Sequence, residues 1–125
     1  MKKMLSTPNA PAAIGPYAQG VSAAGLIFVS GQLPIDPATG ELCTCSMAEQ
    51  TRQCLRNVSA ILAAGGATLA DVVKTTIFLK DLGDFAEVND AYAEFFPENA
   101  PARACVQVAR LPKDGRIEIE AIAAL

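Results

Sequence analysis

The stretch SMAEQTRQCLRNVSAILAAGG (46–66), followed by VVKTTIFL (72–79), decides the architecture. In the first part Met47, Thr51, Cys54, Leu55, Val58, Ile61 and Leu62 recur at helical spacing and form one apolar stripe. Ser46 stands where an N-cap belongs, with Glu49 three residues on in the capping-box pattern, and Gly65-Gly66 ends the run. The spacing predicts a helix from Met47 to about Ala64, with Cys54 a small core residue. The second part is dense in Val, Thr, Ile and Phe and reads as a strand. A helix with a single apolar stripe beside such a strand calls for a sheet to pack against.

Working outward, Asp84 is placed to cap a second helix, with Glu87 at the matching position. Phe85, Val88, Tyr92 and Phe95 form its apolar face, and Pro97 ends it. Ala102–Ala109 and Arg116–Ala124 read as two last strands around a Leu-Pro-Lys-Asp-Gly turn. Upstream, Lys3–Ser6, Gly20–Ala23 and Leu26–Gln32 read as strands, the last two joined near Gly25. Pro8, Pro11, Gly15 and Pro16 exclude regular structure through to Tyr17. The expected fold class is α+β, a two-layer sandwich with a mixed sheet of about six strands and both helices on one face. Leu26–Val29 and Val72–Leu79 offer apolar side chains to both sides of that sheet. The face without helices is therefore expected to be covered by another subunit, since a monomer does not normally expose so large an apolar surface.

At 125 residues, 51% hydrophobic and 18% charged, the chain is expected to form one domain, 1–125. It contains no histidine. A Ser-His-Asp triad, a Cys-His dyad and a His-ligated zinc are thereby excluded, and acid–base work falls to Asp, Glu, Lys, Tyr, Cys or water. Ten Lys and Arg against 13 Asp and Glu leave a net charge of −3, the wrong sign for a protein that neutralises phosphates. No apolar stretch approaches the roughly 20 residues that span a bilayer, and Ser6-Thr7-Pro8-Asn9 interrupts the signal-like start at Lys2-Lys3. A cytoplasmic protein is expected, with Cys43, Cys45, Cys54 and Cys105 as reduced thiols. Cys43-x-Cys45 lacks the spacing and the second pair of a zinc knuckle, so no metal site is expected there.

Chemistry is most concentrated in the last two strands. Along 102–109, Arg103, Cys105 and Gln107 alternate with Ala102, Ala104, Val106 and Val108; Glu118 and Glu120 alternate with Ile117, Ile119 and Ala121. The expectation is that Arg103, Glu118 and Glu120 stand on faces not packed by helices. Arg103 has no acidic residue within four positions, and its planar fork suits a carboxylate. Glu118 is the complement, able to hold or deprotonate a water. Were the two strands a simple hairpin, Arg103 would lie roughly 20 Å along the ladder from Glu118. Either another strand order brings the two together or neighbouring chains share the site.

Ala-Ile-Gly-Pro-Tyr-Ala-Gln-Gly (13–20), Val-Ser-Gly-Gln (29–32), Pro-Ala-Arg-Ala-Cys-Val-Gln-Val-Ala (101–109) and Ile-Glu-Ile-Glu-Ala (117–121) resemble the reactive intermediate deaminase family, RidA, formerly YjgF. Val-Val-Lys-Thr-Thr-Ile-Phe-Leu-Lys-Asp-Leu (72–82) and Phe-Ala-Glu-Val-Asn (85–89) resemble it too, so nearly the whole chain is covered in order. The resemblance implies a chorismate-mutase-like fold and a homotrimer with clefts between subunits. It implies a 2-iminobutanoate/2-iminopropanoate deaminase-type hydrolase with a role in metabolite damage control. Such an enzyme turns 2-aminoacrylate-type enamines and their 2-imino acid tautomers into 2-keto acids and ammonia, without metal or organic cofactor. On this resemblance Arg103 binds the substrate carboxylate and Glu118 positions or activates water. Tyr17, Ser30, Gly31, Asn89 and Cys105 line the cleft, the last partly through its backbone. Ala104 stands where many relatives carry serine.

Each of these residues also has a plainer reading. Tyr17 can plug a core edge, Ser30-Gly31 can be a flexible strand end, Asn89 can face solvent from a helix, and Cys105 can be an inert filler. Two other functions stand beside deamination. An endoribonuclease acting on single-stranded RNA is disfavoured by the charge and by the lack of an aromatic-basic strip. A non-catalytic binder of small carboxylates would keep Arg103 and tolerate loss of Glu118.

Overall fold

The computed structural model describes residues 1–125. The elements follow in chain order as β1 (Lys3–Leu5), β2 (Gly20–Ala23), β3 (Leu26–Gln32), α1 (Met47–Ala64), β4 (Val72–Leu79), α2 (Phe85–Ala93), β5 (Ala102–Gln107) and β6 (Ile117–Ala124). They form one six-stranded sheet in the order β1-β2-β3-β6-β4-β5. Neighbours are antiparallel except β4 and β5, which run parallel with α2 as their crossover. The β2–β3 hairpin closes through Ala24 and Gly25, at φ 52° and 77°, the left-handed pair that suits the strand twist. No helix is long and apolar enough to cross a membrane.

Both helices bury their stripes on one sheet face, as the periodicity predicts. Cys54, Leu55, Val58, Ile61 and Leu62 of α1 share a core with Ile27, Ile77, Leu79, Ile117 and Ile119 of the sheet and with Val88 and Tyr92 of α2. Burial pushes the Cys54 thiol pKa up, in keeping with its place as a core filler. The caps are made differently from the expectation. Ser46 Oγ accepts from the Glu49 amide, but the Glu49 carboxylate turns to Arg52 and Arg56 at 3.0 and 3.1 Å. Asp84 makes no cap bond, because its carboxylate holds Arg116 at 2.9 Å. Glu87 instead accepts from the Ala48 amide at 2.8 Å, placing an acid of α2 against the positive N-terminus of α1. Cys43 and Cys45 are joined as a disulfide, where reduced thiols are expected; the one-residue spacing leaves their Cα atoms 5.4 Å apart, within bridging reach.

The strand order overturns the simple hairpin. β4 lies between β5 and β6, so Arg103 is in register with Thr75 and Glu118 with Phe78. The expected facing of β5 is also reversed. Arg103, Cys105 and Gln107 pair with Thr75, Ile77 and Leu79, which are buried beneath the helices. These three residues therefore lie on the helix side, and Ala104 and Val106 lie on the open side. Alternation separates two faces without saying which points inward, and at an edge strand the helix layer no longer reaches far enough to exclude an arginine. Glu118 and Glu120 do stand on the open face, as expected. That face carries no helix: Phe28, Val73 and Val106 are 42, 48 and 42% exposed.

Candidate active site

The chain builds two separate candidate half-sites. The first surrounds Glu118. Val29 pairs with Ala121 and Gln32 with Ile119, so Ser30 and Gly31 together oppose Glu120 in a bulge. The bulge brings backbone over the carboxylate. A Cβ at Gly31 would sit 2.8 Å from Glu118 Cδ and 2.9 Å from its Oε1, so only glycine leaves the carboxylate where it is. Ser30 is held by its amide, which donates to Gln19 O at 3.0 Å, and by its hydroxyl, which donates to Ala18 O at 2.6 Å. A cleft of about 820 Å³ opens here, with Tyr17, Ser30, Gly31, Phe78, Glu118 and Glu120 among its walls. Glu118 is half-buried and enters no ion pair. Burial, and then the nearby Glu120 charge, raise its pKa above the usual carboxylate value.

Opposite the sheet, the outer wall of this cleft is the irregular segment carrying Pro11, Ala12 and Ile14. One buried side chain, Gln19, ties it down. Its Nε2 donates to Thr7 O, Ala10 O and Pro11 O at 3.0, 3.2 and 2.8 Å, and its Oε1 accepts from the Thr7 amide at 2.7 Å. Tyr17 is half exposed at the same wall. On the floor side, Asn57 of α1 donates to Leu33 O and Ile35 O at 3.2 and 2.9 Å and fixes the chain as it leaves β3. Neither Gln19 nor Asn57 is identified by the sequence reading. A polar residue inside an apolar helical stripe is the trace that Asn57 leaves, one position before Val58.

The second half-site surrounds Arg103. Its guanidinium lies 4.9 Å from the Tyr92 ring centroid and 5.5 Å from that of Phe85, and Nη1 donates to Asn89 Oδ1 at 2.8 Å. All three partners come from α2, at positions 85, 89 and 92 on one helix face. No acid pairs with Arg103, so its charge is held by a neutral amide and two rings and stays open to an anion. The Tyr92 hydroxyl in turn meets the buried Thr75 hydroxyl at 2.7 Å. Burial raises the Tyr92 pKa, so it does not set a phenolate against the guanidinium. Cys105 follows Arg103 on the same side; burial raises its thiol pKa, and the arginine charge opposes that only in part.

Of the residues singled out in the sequence, Tyr17, Ser30, Gly31 and Glu118 come together, and Asn89, Arg103 and Cys105 come together. The two groups lie on opposite faces of the sheet, with β4 between their strands. One chain therefore does not close Arg103 and Glu118 around one small ligand. No three His, Cys, Asp or Glu side chains are grouped to ligate a metal ion.

The family model Endoribonuclease L-PSP matches residues 7–125. The chain belongs to the RidA/YjgF family. It is 59% identical to the 2-iminobutanoate/2-iminopropanoate deaminase of Escherichia coli K12 over 98% of both chains. Among solved structures, the YjgF gene product of Escherichia coli superposes with a TM-score of 0.93 at 58% identity, covering 98% of each chain. Escherichia coli TdcF with bound serine gives a TM-score of 0.94 at 48% identity, again over 98% of both. The six-stranded α+β architecture is thus that of the family, and the likeness covers both half-sites.

Proposed function

We infer that the protein is an enamine/imine deaminase, hydrolysing 2-aminoacrylate-type enamines and their 2-imino acid tautomers to 2-keto acids and ammonia. The observation that carries this reading is Arg103, a guanidinium fixed by Asn89 and two rings with no acid to neutralise it. Full-length relatives named for this deamination support it. The reading assigns the protein to the cytoplasm and requires neither metal nor organic cofactor.

The chemistry asks little of the protein. Once the enamine has tautomerised, its protonated imine carbon is electrophilic. Arg103 grips the substrate carboxylate through its planar fork and sets the carbon's position. Glu118 accepts a proton as water adds to that carbon, forming a C–O bond and pushing the imine electrons onto nitrogen. Its raised pKa makes it a stronger base than an ordinary carboxylate. The tetrahedral adduct then breaks its C–N bond. Nitrogen takes the proton back from Glu118 and leaves as ammonia with the C–N electron pair, and the hydroxyl becomes the keto group as its own proton passes to the freed Glu118 carboxylate and on to solvent. Positioning and electrostatics suffice without a covalent intermediate. Tyr17, Ser30 and Gly31 shape the Glu118 side, and Asn89 and Cys105 the Arg103 side, with backbone carbonyls near Cys105 holding the protonated nitrogen.

Opposite facing of the two half-sites is accommodated by a homotrimer in which Arg103 of one chain closes the Glu118 cleft of the next. The uncovered apolar sheet face supports burial against other copies. The expected particle has about three times the 13.0 kDa chain mass. The decisive experiment follows pyruvate and ammonia release from 2-aminoacrylate generated by a dehydratase. Release above the spontaneous rate is expected; no acceleration by the wild-type protein overturns the assignment. For the shared site, Arg103→Ala and Glu118→Gln chains, each impaired alone, regain activity when refolded together. Failure of the mixture to exceed either variant removes the intersubunit arrangement.

A further inference from the structure

Tyr92 has no role in the chemistry above, yet it makes the closest ring contact to the guanidinium on which that chemistry depends. We propose that Tyr92 is a positioning residue for substrate binding, its ring presetting the Arg103 guanidinium for the carboxylate while Thr75 locks the ring. The proposal rests on the reading of Arg103 as the carboxylate ligand.

Arginine carries several rotatable bonds, and on an edge strand such as β5 nothing in the sheet restricts them. Any freedom it keeps in the empty protein is lost when the carboxylate binds. Here the guanidinium lies 4.9 Å from the Tyr92 ring and 5.5 Å from the Phe85 ring, and Asn89 takes one of its N–H groups. Tyr92 is the more rigid of the two rings. It is buried, whereas Phe85 is 38% exposed. It also stacks on Phe96 with centroids 4.7 Å apart and is pinned through its hydroxyl to Thr75. Thr75 belongs to β4 and is the register partner of Arg103 itself. The contacts thus form a closed loop from β4 through Tyr92 of α2 to Arg103 and back across the ladder. The remaining guanidinium N–H groups are left for a ligand.

The ring acts on ground state and transition state alike, so its loss raises KM and leaves kcat. Tyr92→Leu should raise KM about three- to tenfold, the range expected for one partly desolvated cation–π contact. The kcat should stay within about twofold. Tyr92→Phe keeps the ring and loses only the Thr75 lock; its KM should rise by less than that of the Leu variant, and its Tm falls because a buried hydroxyl loses its partner. A purely structural role would lower Tm in both variants and move KM in neither. Equal KM for Tyr92→Leu and wild type overturns the proposal, as does an equal rise in KM for the Phe and Leu variants. Should Tyr92→Leu fail to fold, Phe85→Leu at the exposed ring supplies the second measurement, with a smaller rise expected and none counting against the aromatic seat. Arg103→Ala separates the two levels of inference. If it leaves KM unchanged, the carboxylate assignment itself is wrong; if it raises KM while Tyr92→Leu does not, only the presetting role is lost.

Discussion

Replacing Gly31 by alanine tests the catalytic role of Glu118 without touching Glu118. The added Cβ would lie 2.8 Å from Glu118 Cδ, 2.9 Å from Oε1 and 3.1 Å from Cγ. Ordinary carbon contacts settle near 3.5 Å, so the carboxylate must retreat by about 0.7 Å. The backbone itself accepts alanine, because Gly31 is not among the positive-φ glycines. Stability then changes little: reducing unfolded-chain entropy contributes about 0.4–1 kcal/mol, which offsets about 1 kcal/mol for moving a half-buried, flexible side chain. Catalysis is less forgiving, since a displacement near 1 Å costs on the order of 100-fold. The expected outcome is a kcat lower by about 10- to 100-fold in the dehydratase-coupled pyruvate assay, with Tm within about 3 °C of wild type. In a Glu118→Gln background the same substitution should cost nothing further, because the group it displaces is already disabled. A Gly31→Ala enzyme with kcat within about twofold of wild type, or an additive loss in the double variant, refutes the placement of Glu118 at the reacting carbon.

Arg103→Ala should raise KM by about 10- to 100-fold, the worth of a charge-assisted bidentate bond, and Arg103→Lys should recover only part of it; steady-state kinetics decide, and an unaffected KM contradicts the assignment. Activity should fall as pH drops through the raised Glu118 pKa, because the base is then protonated. Glu120→Gln removes the neighbouring charge and should move that acid limb to lower pH; an unmoved limb in pH–rate profiles means another group controls it. The same shift has a stability consequence of opposite sign to the usual carboxylate. The folded state binds the Glu118 proton more tightly than the unfolded chain, so this contribution is present below the unfolded pKa and lost as pH rises through the folded one. Glu118→Gln should therefore be more stable than wild type at pH 7, with the difference narrowing at pH 4; urea unfolding that shows it less stable at pH 7 counts against burial as the cause. Asn57→Ala strands Leu33 O and Ile35 O and should cost about 2–3 kcal/mol in the same experiment, a loss under about 0.5 kcal/mol being incompatible with a buried tether.

Helix α1 was legible because its stripe, Ser46 and Gly65-Gly66 act within a few residues of one another. The motifs around Tyr17, Ser30-Gly31, Arg103 and Glu118 were likewise visible as local patterns. One carboxylate of each expected cap is used elsewhere for the converse reason. Glu49 and Asp84 satisfied the local pattern, but Arg52, Arg56 and Arg116 were better partners for their carboxylates. Gln19 and Asn57 went unnoticed because each bonds to backbone 8 to 24 residues distant, and backbone leaves no mark in side-chain identity.

The amino-acid order alone determined the elements, their amphipathic faces and the presence of an arginine without a local acid. Those follow from periodicities of two and 3.6 residues and from charges a few positions apart. Only the tertiary structure decided that β4 separates β5 from β6, that Arg103 points to the helix side, and that α2 supplies its seat of Tyr92, Phe85 and Asn89. Strand order and facing are set by which surfaces bury together across long loops. That balance is a property of the whole core, and no short window of residues contains it.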